Sequence, residues 1–401
     1  MKKSPPSSTS LIAHGYQPPA DFSAVQPGVH KASTIIFKSA AALRARSWKD
    51  KTGYTYGLQG TPTSYTLEER IATLEGGVQT LLVPSGLAAI TLVDMALLKS
   101  GDEVAIPDNV YGPSKEFARN ELAHWGIGHC FYDPMRPESL AAAMTPATRL
   151  VWLEAAGSVT MEFPDLPALI AVARERNAIV ALDNTWGAGL AFDPFALGGD
   201  GEPESGVDVS VQALTKYPSG GADVLMGSVT TRDQALHLRL KFAHMRVGHG
   251  VAGNDVELVL RSLPSLPLRY QAQGDAGQAL AHWWSTRAEV ARVLHPALPG
   301  SPGHEHWARL CSGAAGLFSI VFDQRYASAQ VDAFVDALKL FRIGYSWAGP
   351  VSLVVPYELP TARLGPAGVA RGTVVRFSIG LEATQDLIAD CEQALAALAA
   401  G

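Results

Sequence analysis

Asp208-Val-Ser-Val-Gln-Ala-Leu-Thr-Lys216-Tyr-Pro-Ser-Gly-Gly-Ala-Asp223 is the stretch whose reading decides the fold. Its apolar beginning, Val207 to Leu214, reads as a short buried strand. Thr215-Lys216 and a run of Pro, Ser and Gly then turn it into a loop. A lysine where a buried strand gives way to a loop has little water around it. Desolvation disfavours the ammonium, so the amine is expected to be available as a nucleophile toward carbonyl groups. No other lysine lies between Lys115 and Lys241. Taken alone, the segment also fits a lysine that snorkels out of a strand end to water.

Outward from this stretch, β and α patterns alternate. Strands are expected at Gln79–Pro84, Glu103–Pro107, Gly128–Tyr132, Leu150–Leu153, Ala178–Leu182 and Val207–Leu214. Helices are expected at Ser64–Leu74, from Gly86, and at Ser114–Trp125, Pro137–Met144 and Asp165–Arg176, with Thr66 as N-cap of the first. Strands this apolar are buried on both faces, as in a mostly parallel sheet covered by helices. A helix-rich connection, Val251 to Arg292, leads to a second unit with strands at Leu317–Phe322 and Thr373–Ile379 and helices at Ala329–Leu338 and Thr384–Ala400. The resulting division is an N-terminal arm (1–62), a large domain (63–256) and a C-terminal α/β domain (257–401), as expected for a chain of 401 residues. The arm is Pro/Ser-rich, then carries Tyr54 and Tyr56, and needs a surface to lie on, which points to an oligomer.

A net charge of -6 and the absence of a basic cluster argue against a nucleic-acid surface. The polar N-terminus is not a secretory signal, and the apolar helix from Gly86 to Leu98 is too short for a bilayer and carries Asp94. The three cysteines, Cys130, Cys311 and Cys391, have neither metal spacing nor the look of a disulfide framework, so a cytoplasmic protein is expected. His304-Glu-His306 is too short and isolated for a metal site, and Gly198-Gly-Asp-Gly does not lead a strand into a helix.

The residues with chemistry sit at strand ends. Asp183 closes the Ala178–Leu182 strand, where ligands of such sheets bind. A carboxylate there could keep a pyridine nitrogen protonated, or merely cap the next loop. Ser85-Gly86-Leu87 offers free backbone N–H groups at a helix start, a cup for a phosphate or only a cap. Thr215 could add a hydroxyl to the same anion. Tyr111, after the Glu103–Pro107 strand, could stack on a flat ring or pack locally. Arg376, inside the apolar string Thr-Val-Val-Arg-Phe-Ser-Ile, needs an anionic partner: a substrate carboxylate or a structural one.

Tyr56-Gly-Leu-Gln-Gly-Thr-Pro-Thr, Leu74-Glu-Gly-Gly, Pro84-Ser-Gly-Leu, Ile179-Val-Ala-Leu-Asp-Asn-Thr-Trp, Gln212-Ala-Leu-Thr-Lys-Tyr, His295-Pro-Ala-Leu-Pro-Gly and Arg376-Phe-Ser-Ile-Gly-Leu-Glu together resemble the cysteine/methionine-metabolism enzymes that use pyridoxal 5'-phosphate (PLP). The resemblance runs from about residue 30 to 395. It implies the aspartate-aminotransferase fold type: a seven-stranded, mostly parallel sheet in the large domain plus a smaller α/β domain. It implies Lys216 as the lysine that holds the cofactor aldehyde and Asp183 as partner of the ring nitrogen, with Tyr111 stacked on the ring. Gly86, Leu87 and Thr215 would hold the phosphate, and Tyr56 would reach the phosphate of a neighbouring subunit. Thr185 and Ala213 line the same cofactor site. Arg376 would take the substrate α-carboxylate, helped by Ser346. A homotetramer built from active dimers is implied as well.

Three departures stand out. Leu58 occupies a position where many members carry arginine, Ala213 one where many carry serine, and Gly220-Gly-Ala-Asp223 replaces Gly-His-Ser-Asp. For the reaction, Tyr345-Ser346-Trp347 resembles the β-lyase members; γ-acting members often carry an acidic residue where Tyr345 stands. The implied activity is cleavage of L-cystathionine to homocysteine, pyruvate and ammonia, with Tyr111 assisting in deprotonation of the incoming amine. The alternatives are a γ-acting relative and a PLP-binding protein with a regulatory role.

Overall fold

The computed structural model describes residue 9 and residues 25–198, 205–357 and 372–399. The rest of the first 24 residues, and Gly199-Asp-Gly within the glycine run, lie outside the described residues. Strands β1 (Gln79–Val83), β2 (Glu103–Pro107), β3 (Gly128–Tyr132), β4 (Thr148–Glu154), β5 (Ile179–Asp183), β6 (Val209–Ala213) and β7 (Gly227–Thr231) form one seven-stranded sheet in the order β1-β7-β6-β5-β4-β2-β3. β3 to β6 and β2 run parallel, while β7 is antiparallel to both its neighbours. The mostly parallel sheet is therefore as expected, with one strand the sequence reading left out. Gly-Ser-Val-Thr-Thr is not an apolar run, yet all its residues are buried.

Two apolar clusters cover the two faces. Val104, Ile106, Leu150, Ala181, Val209 and Val211 point to one; Ala105, Val151, Leu153, Val180 and Leu182 point to the other. The alternation has the period of a strand, and both sides are filled, so each strand reads as a continuous apolar run.

Helix α1 (Pro62–Glu75) starts earlier than the sequence suggested. Thr61 is the N-cap, accepting from Ser64 N, and the Ser64 hydroxyl accepts from Thr61 N, a reciprocal capping box. Pro62 fits the first turn, where its missing N–H is not needed. Gly76 ends the helix at φ 78°, and an added Cβ there would meet Asp193 at 2.9 Å. Helices α2 (Gly86–Leu97), α3 (Leu166–Glu175) and α4 (Gln234–Val247) complete the layers on the sheet. α5 (Gly253–Ser262) and the long α6 (Leu266–Ser285) lead out of it.

A second sheet takes β8 (Val290–Leu294), β9 (Leu317–Phe322), β10 (Arg342–Ile343), β11 (Leu353–Tyr357) and β12 (Val374–Ser378) in the order β10-β11-β12-β9-β8. Its apolar face packs on α6, α7 (Ser328–Ala337) and α8 (Thr384–Ala394) through Trp284, Phe318, Phe322, Phe334 and Phe377. One core cluster includes Leu67 and Leu182 as well as Leu317 and Val374, so apolar packing runs continuously between the two sheets. No helix among the described residues is long and apolar enough to cross a membrane.

Candidate functional site

The C-terminal ends of β4, β5 and β6 lie side by side, because these strands are parallel neighbours. They bring Glu154, Asp183 and the Ala213-Leu-Thr-Lys216 turn to one edge of the sheet. Glu154 stands in register with Asp183, so a buried and a half-buried carboxylate face the same way. Glu154 Oε2 accepts from Tyr111 N at 2.9 Å, which ties the loop after β2 to the end of β4. Burial, and then the Asp183 charge, hold the Glu154 carboxyl well above the usual carboxylate range.

Asp183 Oδ1 accepts from Thr185 N (3.0 Å) and Thr185 Oγ1 (2.5 Å). Thr185 Oγ1 in turn accepts from Ala213 N at 2.9 Å and so pins the end of β6 to the end of β5. Burial raises the Asp183 carboxyl, and the Thr185 bonds and the Lys216 charge offset part of the rise.

Lys216 Nζ donates to Ser346 Oγ at 2.8 Å and lies 5.6 Å from the centroid of the Trp347 ring. Desolvation, aided by the like charge of Arg376, brings its pKa down to about 8; Asp183 works the other way. Lys216 and Asp183 thus act on each other electrostatically and share one site. The shift has the direction expected of a desolvated lysine. Ser346 has φ 98° and Ala348 φ 68°, both in the left-handed region, so the chain presents this hydroxyl at a conformational cost typical of functional loops.

At the start of α2, Ser85 Oγ accepts from Ala88 N at 3.0 Å, which leaves Gly86 N and Leu87 N as the first N–H groups of the helix. An added Cβ on Gly86 would sit 2.5 Å from Ala213 Cβ, so glycine is what lets the helix start approach the end of β6. The Thr215 hydroxyl donates to Met226 O (3.2 Å) and accepts from Met226 N (3.1 Å), clamping the turn to the residue before β7.

Arg376 lies on β12, buried. Its Nη1 donates to Ser158 O at 3.1 Å, and its guanidinium lies over the Tyr357 ring, 5.2 Å from the centroid. No carboxylate among the described residues pairs with it, so the structural ion pair weighed from the sequence is absent there. Ser346 is bonded to Lys216. Of the Tyr345-Ser-Trp string, Trp347 is the wall: it packs on Tyr217 with ring centroids 5.6 Å apart. Tyr345 is 80% exposed and forms no wall within one chain. Tyr56 is 48% exposed on the arm, held by a backbone bridge to Thr34, and contacts none of these residues.

Sequence reasoning missed Glu154 and Tyr357. Glu154 could have been found as the polar residue closing an apolar strand, the same signal that marked Asp183. Tyr357 gave no such signal, since it ends a strand that was not recognised.

The side chains fit PLP by the chemistry of the donor set. Lys216 is a nucleophilic amine and Asp183 keeps Oδ2 without a partner among the described residues. Gly86 and Leu87 have N–H groups a phosphate could use, and Arg376 is a buried cation with no carboxylate partner among the described residues. A separate cavity of about 430 Å³ lies between the arm, α1 and α4, lined by Leu58, Glu68, Lys241 and His249 among others; neither Lys216, Asp183 nor Arg376 lines it.

The family pattern described as Cys/Met metabolism PLP-dependent enzyme matches residues 8–396. The chain is similar to a cystathionine beta-lyase of Bordetella avium, 38% identical over 91% of this chain and 90% of that one. It is also similar to cystathionine beta-lyase MetC of Escherichia coli, 33% identical over 97% of this chain and 98% of the other. The crystal structure of metB from Corynebacterium glutamicum matches with a TM-score of 0.87 and 29% identity, over 98% of each chain.

Proposed function

We propose that this chain, which belongs to the family of Cys/Met metabolism PLP-dependent enzymes, is a carbon–sulfur β-lyase that cleaves L-cystathionine to homocysteine, pyruvate and ammonia. Its fold is that of the PLP-dependent enzymes, and its cofactor is PLP. The observation that carries the reading is Lys216: one amine, brought to a pKa of about 8, bonded to Ser346 and facing Asp183.

Lys216 would hold the cofactor aldehyde, Asp183 its ring nitrogen, and Gly86 and Leu87 its phosphate, with Tyr111 over the ring and Thr185 and Ala213 fixing the strand ends behind it. Bound there, PLP supplies an electron sink for the pair left at Cα when its proton departs. Arg376 takes the α-carboxylate, which sets Cα beside Lys216. Lys216 Nζ accepts the Cα proton and returns a proton to the departing sulfur, acting as base and then as acid. Ser346 holds Nζ in place between these transfers. Trp347 closes the side of the pocket next to Nζ and keeps water from it. Tyr111, beside Glu154, keeps its hydroxyl proton more tightly than a free phenol, because burial and the two carboxylates raise its pKa; as a neutral phenol it would hydrogen-bond the arriving amine of the substrate.

The exposed Tyr56 supports an assembly in which the arm reaches a neighbouring subunit, and we propose a homotetramer of active dimers working in the cytoplasm. The two sheets, one ending at Thr231 and the other beginning at Val290, lie on either side of the proposed limit at residue 256. Purified protein supplied with PLP and L-cystathionine should release pyruvate and homocysteine. Release of cysteine and 2-oxobutyrate instead would assign the chain to the γ-acting members.

A further inference from the structure

We propose that Tyr357 is a specificity-determining residue of the substrate site: its phenol is a second donor to the α-carboxylate that Arg376 binds, and its ring fixes the plane of that guanidinium. The inference rests on the placement of the carboxylate at Arg376 given above and deepens it.

Four observations converge on Tyr357. First, β11 and β12 are antiparallel with Val355 opposite Arg376, so Tyr357, two residues on, shares the face of the sheet that carries the guanidinium. Second, the guanidinium lies over its ring at 5.2 Å from the centroid, a cation–π contact made out of water and therefore stronger than at a surface. Third, one N–H of the Arg376 fork is already spent on the Ser158 carbonyl, so the arginine meets a carboxylate with part of its donor set committed. Fourth, the Tyr357 hydroxyl has no hydrogen-bond partner among the described residues, although the side chain is only half exposed and packs against the core cluster.

A phenol that makes no bond within the described residues keeps its donor free for a ligand. The acceptor that the surroundings call for is anionic, beside a guanidinium, and absent among the described residues. An amino-acid carboxylate meets all three conditions. Burial raises the Tyr357 pKa, more than Arg376 lowers it, so at neutral pH the group is a neutral phenol able to donate. Tyr111 and Tyr345 lie within charge reach of the same phenol, which places it toward the mouth that a substrate enters rather than in the strand interior.

The test uses the PLP-loaded enzyme and three forms: wild type, Tyr357→Phe and Tyr357→Leu. L-alanine, which has no β leaving group, and L-alaninamide, which has no carboxylate, are titrated against the visible absorbance of the bound cofactor. Loss of one hydrogen bond to a charged group is worth about tenfold in affinity. Tyr357→Phe should therefore raise the half-saturating concentration of L-alanine about tenfold and leave that of L-alaninamide within about twofold. Tyr357→Leu, lacking the ring as well, should weaken L-alanine further. With L-cystathionine, Tyr357→Phe should raise KM and leave kcat within about twofold, the pattern of lost binding shared by ground and transition state. Equal L-alanine affinity in Tyr357→Phe and wild type overturns the proposal, and so does an equal loss for L-alanine and L-alaninamide, which would mark a merely structural role. A wild type with no cofactor band sinks this proposal together with the Lys216 reading; a wild type that responds beside an unchanged Tyr357→Phe sinks this one alone.

Discussion

Lys216 and Lys241 are both withdrawn from water, and in both cases burial is the main cause of a lowered pKa. Around Lys241, on α4, the charges are acidic: Glu68 first and Asp50 last of the neighbours that act on it, with only Lys51 opposing. Lys51 bridges Glu68 at 3.2 Å and Glu69 at 2.7 Å, so the cluster ties the arm to α1 and α4. Around Lys216 the largest charge effect is that of a cation, Arg376, and Asp183 only partly answers it. The same desolvation thus yields a structural ion in one place and a reactive amine in the other. Burial alone does not make a lysine a nucleophile; the sign of its neighbours decides.

The sharpest way to break this contrast is turnover. Lys216→Ala removes both the cofactor anchor and the proton carrier, and should lower pyruvate release from L-cystathionine on the order of 10⁴-fold or more. Lys241→Ala, assayed at a temperature where it is folded, should stay within about threefold, the scatter expected of a change remote from the chemistry. A Lys216→Ala enzyme that kept a tenth of the wild-type rate would erase the distinction.

Stability should move in the opposite order. Lys241→Met leaves Glu68 with Lys51 as its remaining cation, so the cost is about 2 kcal/mol, below the usual cost of breaking a buried pair. Lys216→Met in the PLP-free protein removes a desolvated amine that has no ion pair, and should gain about 1 kcal/mol, as substitutions at functional sites often do. Urea midpoints of the two PLP-free variants measure both signs. If Lys216→Met were the more destabilising of the two, Lys216 would belong to the structural class.

How much of this was legible beforehand follows from where the signal resides. Asp183 and Lys216 each close a strongly apolar strand, and a charge at the end of such a run stands out in the sequence. The Gly86 cup was legible for a similar reason: Ser-Gly before an apolar helix. β7 was not, because Gly227-Ser-Val-Thr-Thr231 is half polar and is buried by its two strand neighbours and by α1, α2 and α4, with a Thr80–Thr230 hydroxyl pair at 2.9 Å. The bond between Thr215 and Met226 was not legible, because Met226 lies across a loop that the sequence does not fold for the reader. The partner of Ser346 and the ring over Arg376 depend on contacts between residues far apart in the chain, which no local pattern encodes.

The smallest effect tests the electrostatic account most directly. The rate at which PLP-free protein takes up PLP should follow the unprotonated fraction of Lys216, rising with pH and levelling above its pKa of about 8. The sign follows from the state that reacts: only the neutral amine attacks an aldehyde, so uptake slows as pH falls through 8. Asp183 and Arg376 pull this midpoint in opposite directions, since an anion favours the ammonium and a cation disfavours it. Asp183→Asn should therefore move the midpoint down and Arg376→Met should move it up, each by a fraction of a unit. Stopped-flow absorbance over pH 6 to about 10 covers the range in which a lysine lowered from its ordinary value of about 10.4 would titrate. Shifts of the same sign in both variants would mean that burial, and not the two neighbours, sets the amine apart, and Lys216 would then differ from Lys241 in degree only.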